Sequence, residues 1–481
     1  MIRPLLILFV LCSFVTISQN SHSFCTNYGG DGDEIGYSIL QAYNTDYIIV
    51  GRTGSFGALQ TDIHVARMDT ISNIRWQKNI GGFMNEVGKG VVELEDSSIV
   101  MVGYSNSYGN GGYDAYIVRT DRNGNILWYR TFGGANWDFA NSVCRTKDSN
   151  IVVCGYTYSF GRGDKDGFIL KMDYKGNILW TKTYGGAKGD ELNKIIATSD
   201  GGYIAAGTTK SYGDSLGDIW ITKFDKFGDS LWFKVRGGVK KDVGNSVVQD
   251  QLGDYLIAGG SESFSSGKED AYILKLLNNS TFLWDRYYGI PSQDEEAFDV
   301  LNSGSQYGNM LLLYATKEQA AYGFDIKNIL LDYGGYYVRG GTFGSEKDEI
   351  AYAMCNARDK GYVACGYTES YNAKFKDVFV VKYDSEMTIG PLILSAGKIV
   401  TDKKAKIYPT VVNNKTIYIQ GTTNVSDLDF KIYDIFGRLV TPVSIEKKEE
   451  NLLMLKLGEN IEGIVIVSMD NGLLIQKCII N

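Results

Sequence analysis

Seven aspartates recur along the chain at one position: Asp62, Asp114, Asp166, Asp218, Asp270, Asp325 and Asp377, the first five of them 52 residues apart. A second acidic series, Glu34, Glu86, Asp138, Asp190, Asp242, Asp294 and Glu349, keeps the same beat. Carboxylates in such numbers offer three chemistries: cation binding, paired acid–base work, or acceptance of backbone N–H bonds at turns. A catalytic pair is single and asymmetric, so acids repeated seven times read as structural devices. The aspartates cap a turn ahead of a strand, and the second series accepts N–H bonds from a neighbouring loop. Asp164 with Asp166, and Asp214 with Asp218, come nearest to a calcium site, but their spacing does not supply a full oxygen cage. Metal content therefore stays open, and no cofactor is expected.

A third series is aromatic: Phe56, Tyr108, Phe160, Tyr212, Phe264 and Tyr371, with Gln319 at the sixth place. Rings in a loop that shares a face with carboxylates suit stacking on sugars, which makes this series the candidate ligand-binding surface. The alternative is that the rings plug gaps between elements. The segments that follow them differ, from Gly109-Asn-Gly-Gly-Tyr113 to Ser265-Ser-Gly-Lys-Glu269, and any specificity is expected there. Nucleophilic catalysis lacks its parts. Only His22 and His64 are present, and no HExxH, P-loop, GxSxG or CxxC pattern occurs. A carboxylate-only glycosidase is the enzymatic alternative, although no acid pair stands apart from the repeats.

The elements that position these residues follow from the period. Gly-Gly pairs start at 29, 81, 133, 185 and 237, with a further Gly289, and the composition joins 57 glycines and 33 tyrosines to only 5 prolines. Such a period marks a repeat architecture. Each unit reads as four short strands, and the second, as in Ile151-Val-Val-Cys154, is apolar on both faces and must be covered on both sides. Radially packed blades supply that cover. Seven units begin near residues 33, 85, 137, 189, 241, 293 and 348, and the seventh lacks its fourth strand. The segment before Gly29 is in register with fourth strands elsewhere, so it is expected to complete blade seven and close the ring. Trp76, Trp128, Trp180, Trp232 and Trp284 fill one place on the fourth strand, between wedge-shaped blades. The expected fold is all-β: a seven-bladed β-propeller followed by a small sandwich.

The units Gly185-Gly-Ala-Lys-Gly-Asp-Glu191, Asp200-Gly-Gly-Tyr203 and Gly217-Asp-Ile-Trp-Ile-Thr-Lys-Phe-Asp225 resemble the SBBP-type seven-bladed propeller repeat of exported bacterial proteins, which implies a scaffold or binding role. Asp121-Arg-Asn-Gly-Asn-Ile-Leu-Trp128 is similar to the tryptophan-docking hairpin of quinoprotein propellers and, more loosely, to the sialidase Asp-box. Beyond the repeats, Ile407-Tyr-Pro-Thr410, Tyr433-Asp-Ile-Phe-Gly-Arg438 and Gly463-Ile-Val465 resemble the type A C-terminal sorting domain of the Bacteroidetes type IX secretion system. That resemblance implies recognition of residues 406–481 by the type IX machinery and delivery to the surface or medium.

Residues 1–18 read as a signal peptide: Arg3, an apolar run from Leu5 to Val15, then small residues. The expected layout is signal peptide 1–18, propeller 19–390, linker 391–405 and sorting sandwich 406–481. A formal charge of −8 argues against a nucleic-acid partner, and no transmembrane segment is expected in the mature chain. The expected partner is a glycan or protein ligand. Cys144 with Cys154, and Cys355 with Cys365, sit on neighbouring strands of one hairpin, as cross-strand disulfides or as buried thiols.

Overall fold

The computed structural model describes residues 23–388, apart from 57, 266–267, 292, 304–309 and 317–322, and then strand segments between 405 and 480. Residues 1–18, the linker 391–405 apart from its last residue, and Gln319 lie outside the described residues.

Seven four-stranded antiparallel sheets follow one another as the blades of a propeller, each built from consecutive strands except the last. That blade joins Glu349–Asn356, Tyr362–Thr368 and Asp377–Tyr383 to the N-terminal strand Phe24–Tyr28, which pairs Phe24 with Lys382 and Tyr28 with Val378. The ring is thus closed by the start of the chain, which removes the free edge of an open array. The alternation of buried and exposed residues explains the layering. Third strands such as Asp166–Met172 are buried at every residue, whereas outer strands such as Ile178–Tyr184 leave alternate side chains exposed. Apolar contacts run from blade to blade: Val152, Cys154 and Ile169 of blade three pack with Leu192, Tyr203 and Trp220 of blade four.

The five tryptophans are half-buried rather than enclosed. Each of four of them lies under a turn of the next blade, where Gly124 covers Trp76, Gly176 Trp128, Gly228 Trp180 and Gly335 Trp284. Those glycines have φ between 74° and 84°, so both the left-handed backbone and the ring beneath demand glycine. Trp128 and Trp284 also donate their indole N–H to Tyr174 O and Tyr333 O, each at 3.1 Å.

On the face opposite the aspartate caps, a basic residue late in the third strand of six blades reaches an aspartate in the turn between the first two strands, while blade six has Leu330 there. Lys223 pairs with Asp200 at 2.8 Å, Lys382 with Asp359 at 2.9 Å and Arg67 with Asp46 at 3.0 Å. Every first strand carries a β-bulge near its fourth residue. After the propeller, two further four-stranded sheets form, one from Ala405–Tyr408, Thr416–Gly421, Leu452–Lys456 and Ser444–Glu449, the other from Val411–Val412, Leu474–Ile480, Gly463–Met469 and Phe430–Asp434. Ile432 of one and Leu455 of the other are fully buried. The described residues hold no helix, and none long and apolar enough to cross a membrane.

A mature chain beginning at Gly29 loses the buried Phe24, Cys25 and Tyr28. With each large apolar side chain contributing about 1.5–3 kcal/mol, thermal denaturation should show the whole propeller destabilised, and a parent-like melt would contradict ring closure.

Candidate functional site

The two acidic series meet. An ideal Cβ on Gly81 would collide with both Asp62 Oδ1 and Glu86 Oε2, and Gly133 stands likewise between Asp114 and Asp138, Gly237 between Asp218 and Asp242, and Gly29 between Asp377 and Glu34. The inter-blade glycine recurs because two buried carboxylates leave no room for a side chain. The first-strand acid is a latch: Glu86 accepts Gly82 N–H at 2.7 Å, Ser105 Oγ–H at 2.6 Å and Ser107 N–H at 3.2 Å. Asp190 takes Gly186 N–H, Thr209 Oγ1–H and Ser211 Oγ–H in the same way. The third-strand aspartate holds its own loop, Asp114 by Asn110 N–H at 2.9 Å and Asp166 by Arg162 N–H at 2.6 Å. Asp377 accepts from Asn27 at 2.7 Å, which ties the closing strand to the same network.

Blade six corrects one expectation. Glu295, not Asp294, takes the latch position, accepting Ile290 N–H at 3.3 Å and Thr316 Oγ1–H at 3.2 Å. One extra residue between Gly289 and the strand shifts the acid by one place. Burial, then the facing carboxylate, raises these acids: Asp377 to about 6 beside Glu34 and Glu295 to about 7 beside Asp270. Asp62, Asp218 and Glu349 move in the same direction for the same reasons.

The aromatic series is packed against its own blades, and Phe160 and Tyr371 also meet Phe132 and Phe343 of the preceding blade. Tyr108 stacks on Tyr116 at 5.3 Å between centroids, Phe264 on Tyr272 at 5.5 Å, Tyr371 on Phe379 at 5.5 Å and Phe56 on His64 at 5.7 Å. Tyr108, Tyr212 and Tyr371 donate their hydroxyls to the carbonyls of Gly81, Gly185 and Gly344. The rings lie over the third and fourth strands, one per blade, and no two of them touch one another among the described contacts. Phe56 and Phe160 keep about two-fifths of their surface exposed. Tyr212 also lines an open cleft of about 440 Å³ between blades three and four, with Arg162, Trp220 and Phe233.

A separate set of rings meets across two blades, and Trp137, Phe139 and Tyr158 among them stand where no other blade carries a ring. Trp137 and Phe139, which flank the latch Asp138, join Tyr104, Tyr113, Tyr156 and Tyr158 in one cluster. Tyr104 contacts Phe139 at 4.8 Å, Phe139 stacks on Tyr156 at 4.9 Å, and Trp137 meets Tyr113 at 6.0 Å and Tyr158 at 6.5 Å. Trp137 and Tyr158 are exposed, at 54% and 41%. This cluster belongs to the first and second strands of blade three, the second strand of blade two and the loops above them, at the mouth of the central channel. The bulged first-strand residues continue it: Tyr37, Lys89, Asn141, Asn193, Asn245, Phe298 and Tyr352, one per blade. Tyr352 meets Tyr37 at 5.2 Å and Phe298 at 5.1 Å, while Asn141 donates to Leu192 O and Asn193 to Gly244 O at 3.0 Å each. The bulge turns these side chains inward. The sequence carried a signal for the cluster, since Trp137 falls out of step with the five repeated tryptophans.

One further acid is shifted by its surroundings. Glu269, just ahead of the cap Asp270, is raised to about 7 by burial and by Glu296. Among the described residues no group of three or more His, Cys, Asp or Glu is arranged to hold a metal ion. Cys144, Cys154, Cys355 and Cys365 are unbonded thiols, with Cys144 and Cys355 pushed up to about 12 by burial. His64 is enclosed between Tyr28 and Phe56 and lowered to about 4 by burial.

These features define a seven-bladed β-propeller with an aromatic channel mouth. No family model matches the chain. The regulatory protein FlaEY of Caulobacter vibrioides is 24% identical over 250 residues, 46% of this chain and 26% of that protein, so the chain spans about a quarter of the relative's length. Among solved structures, the Pan2 WD40 domain of Neurospora crassa is similar at a TM-score of 0.47 and 9% identity, covering 75% of this chain and 96% of that one. PorZ, a surface component of the type IX secretion system of Porphyromonas gingivalis, is similar at 0.41 and 10% identity, over 94% and 60%.

The carboxyl pairs give a signed pH dependence. Where the folded value lies above the unfolded one, the native state holds protons that the unfolded chain has released, so stability falls as pH rises between the two values. For Asp377 and Glu295 that window runs from about 4 to about 7. Asp148 and Asp200, lowered to about 2 by hydrogen bonds and lysine partners against the cost of burial, act oppositely and lose their contribution as pH falls from about 4. The melting temperature should therefore peak between about pH 4 and 5 and decline toward 7.5. Glu295→Gln should flatten that decline by on the order of 1–2 kcal/mol, and an unchanged slope would contradict the pairing.

Proposed function

We propose that this chain is an exported β-propeller that acts, at the cell surface or in the medium, as a binding or scaffold module for a glycan or protein, with the ligand seated at the channel mouth rather than on the aromatic series of the loops. The observation that carries this reading is the cluster of six touching rings, of which Trp137, Phe139 and Tyr158 stand where no other blade carries a ring, with Trp137 and Tyr158 open to solvent. A fold needs its repeated residues in every blade, and an exposed aromatic patch that only two blades contribute is what a recognition surface requires. The repeated rings of Tyr108 and Tyr212 already have ring partners within their blades and hydroxyl acceptors at the inter-blade glycines.

The test is binding of the mature chain to mixed glycan and protein arrays. Replacing Trp137 and Tyr158 together by alanine should weaken a hit about tenfold, near 1.4 kcal/mol, with an unchanged melt. Tyr108→Ala should instead lower the melting temperature while the surviving folded protein still binds. Parent-like binding by the double variant would overturn the placement. A second reading, a carboxylate-dependent glycosidase, rests on Glu269, whose raised value suits a general acid. Release of product from a bound glycan, lost in Glu269→Gln with binding kept, would favour it over a non-enzymatic module.

Export rests on the leader and on the sorting-domain resemblance of residues 406–481. Deleting 406–481 in a type IX-competent host should trap the propeller in the periplasm, as read by fractionation, and unchanged surface delivery would refute that role.

A further inference from the structure

The channel mouth carries a charge arrangement that packing does not explain. Lys89, the bulged residue of blade two, places its Nζ 3.7 Å from the centroid of the Tyr37 ring. Among the described residues no carboxylate lies within ion-pair reach of it. Other lysines at the mouth are matched: Lys165 with Glu191, and Lys376 with Glu369 at 3.6 Å. Next to Lys89 is a second cation, Arg52 of blade one. Its terminal nitrogen stands 3.8 Å from the half-exposed Asp33, and its Nε is buried with no acceptor. Burial and the nearby Arg52 hold the Lys89 ammonium down, to about 8. Two neighbouring cations that repel one another in a confined channel are costly unless an anion joins them.

The apolar surroundings narrow the anion. Phe298, Tyr352 and Tyr37 form an arc of three successive rings beside Lys89, contributed by blades six, seven and one. Flat aromatic faces suit the C–H faces of pyranoses, while the amides of Asn141 and Asn193 are spent on strand carbonyls and leave the opposite side of the channel structural. The Arg52 side chain keeps about a third of its surface exposed, so its guanidinium can reach an oxyanion through its terminal N–H groups, and Lys89 supplies a point charge.

We propose that the channel mouth recognises an acidic glycan, its sugar ring lying against the Tyr37–Tyr352 arc and its carboxylate or sulfate held between Lys89 Nζ and the Arg52 guanidinium. This rests on the reading of the mouth as the ligand seat and adds the ligand's class.

The experiment is calorimetric titration of the mature chain at pH 7 with four probes: an oligogalacturonate hexamer, a heparin hexasaccharide, neutral cellohexaose and hexaglutamate. At least one acidic glycan should bind about tenfold or more tighter than cellohexaose, and its identity separates carboxylate from sulfate. Lys89→Met should remove that preference, Lys89→Arg should keep affinity within about threefold, and added salt should weaken the parent more than Lys89→Met. Arg52→Gln replaces Lys89→Met if the latter fails to fold. The proposal is overturned if neither acidic glycan binds, if cellohexaose or hexaglutamate binds as tightly, or if Lys89→Met behaves as the parent. A neutral glycan lost in the Trp137, Tyr158 double variant but unmoved by Lys89→Met would sink the acidic class and leave the mouth as the seat. Binding unmoved by either variant would sink both.

Discussion

Everything in the propeller hangs on one buried carboxylate repeated at each blade junction. The acid that opens a first strand gathers the N–H of the inter-blade loop and the hydroxyl that closes the second strand, as Glu86 does with Gly82 and Ser105. A loop buried without such an acceptor would leave backbone donors unpaired, at about 1–3 kcal/mol each. The same acid faces the aspartate of the preceding blade across a glycine that no other residue can replace without collision. Position, glycine and both acids are therefore one constraint, and the 52-residue beat is its trace in the sequence. In blade six the spacing slips by one residue and the acid slips with it, from 294 to 295, because the junction and not the count is what must be kept.

Much of the fold was legible because the repeat exposes it. Strands apolar on both faces, turns marked by glycine, and an orphan first strand in register with fourth strands lead to a closed seven-bladed ring without knowledge of any contact. What the sequence does not display is which residues of a shared face touch. Tyr108 and its equivalents sit on a loop face as the pattern requires, yet their rings turn outward onto the third strand of their own blade. The direction of a side chain depends on the bulge and twist of the strand below it, and neither has a signature at the level of residue type. The matched cations beneath the blades, Lys223 with Asp200 and Lys382 with Asp359, were hidden for a related reason: their partners lie 23 residues apart and meet only across a folded hairpin.

The channel mouth was hidden by the very regularity that revealed the propeller. The residues that recur are those the fold needs, whereas the bulged position changes identity from blade to blade: tyrosine, lysine, three asparagines, phenylalanine, tyrosine. One bulge in each inner strand turns one side chain toward the axis while the rest of the strand keeps its register. Seven such side chains converge on one small space, so the fold offers a site whose chemistry can vary without disturbing any blade. Asparagines occupy three of these places and tie neighbouring strands together through their carbonyls. Aromatics and a lysine occupy the other four.

That division has an energetic logic. On the asparagine side each amide is matched, so water or ligand gains little by approaching. On the other side, a lysine is set against a ring and a guanidinium, and neither cation has a well-placed carboxylate although the chain as a whole is acidic, with a net charge of −8. A protein with 56 acidic side chains could match two cations cheaply. Carboxylates do stand nearby, at Asp33 and Glu296, yet Asp33 approaches Arg52 only to 3.8 Å and Glu296 is bonded to Asn245 at 2.8 Å. Leaving the two cations so weakly compensated raises the energy of the empty channel and lowers the cost of taking in an anion, because the field is already assembled and need not be reorganised when the ligand arrives. The rigid ring of latched blades is what allows this. A looser frame would let Lys89 swing toward the nearest acid, and the selectivity of the mouth would relax with it.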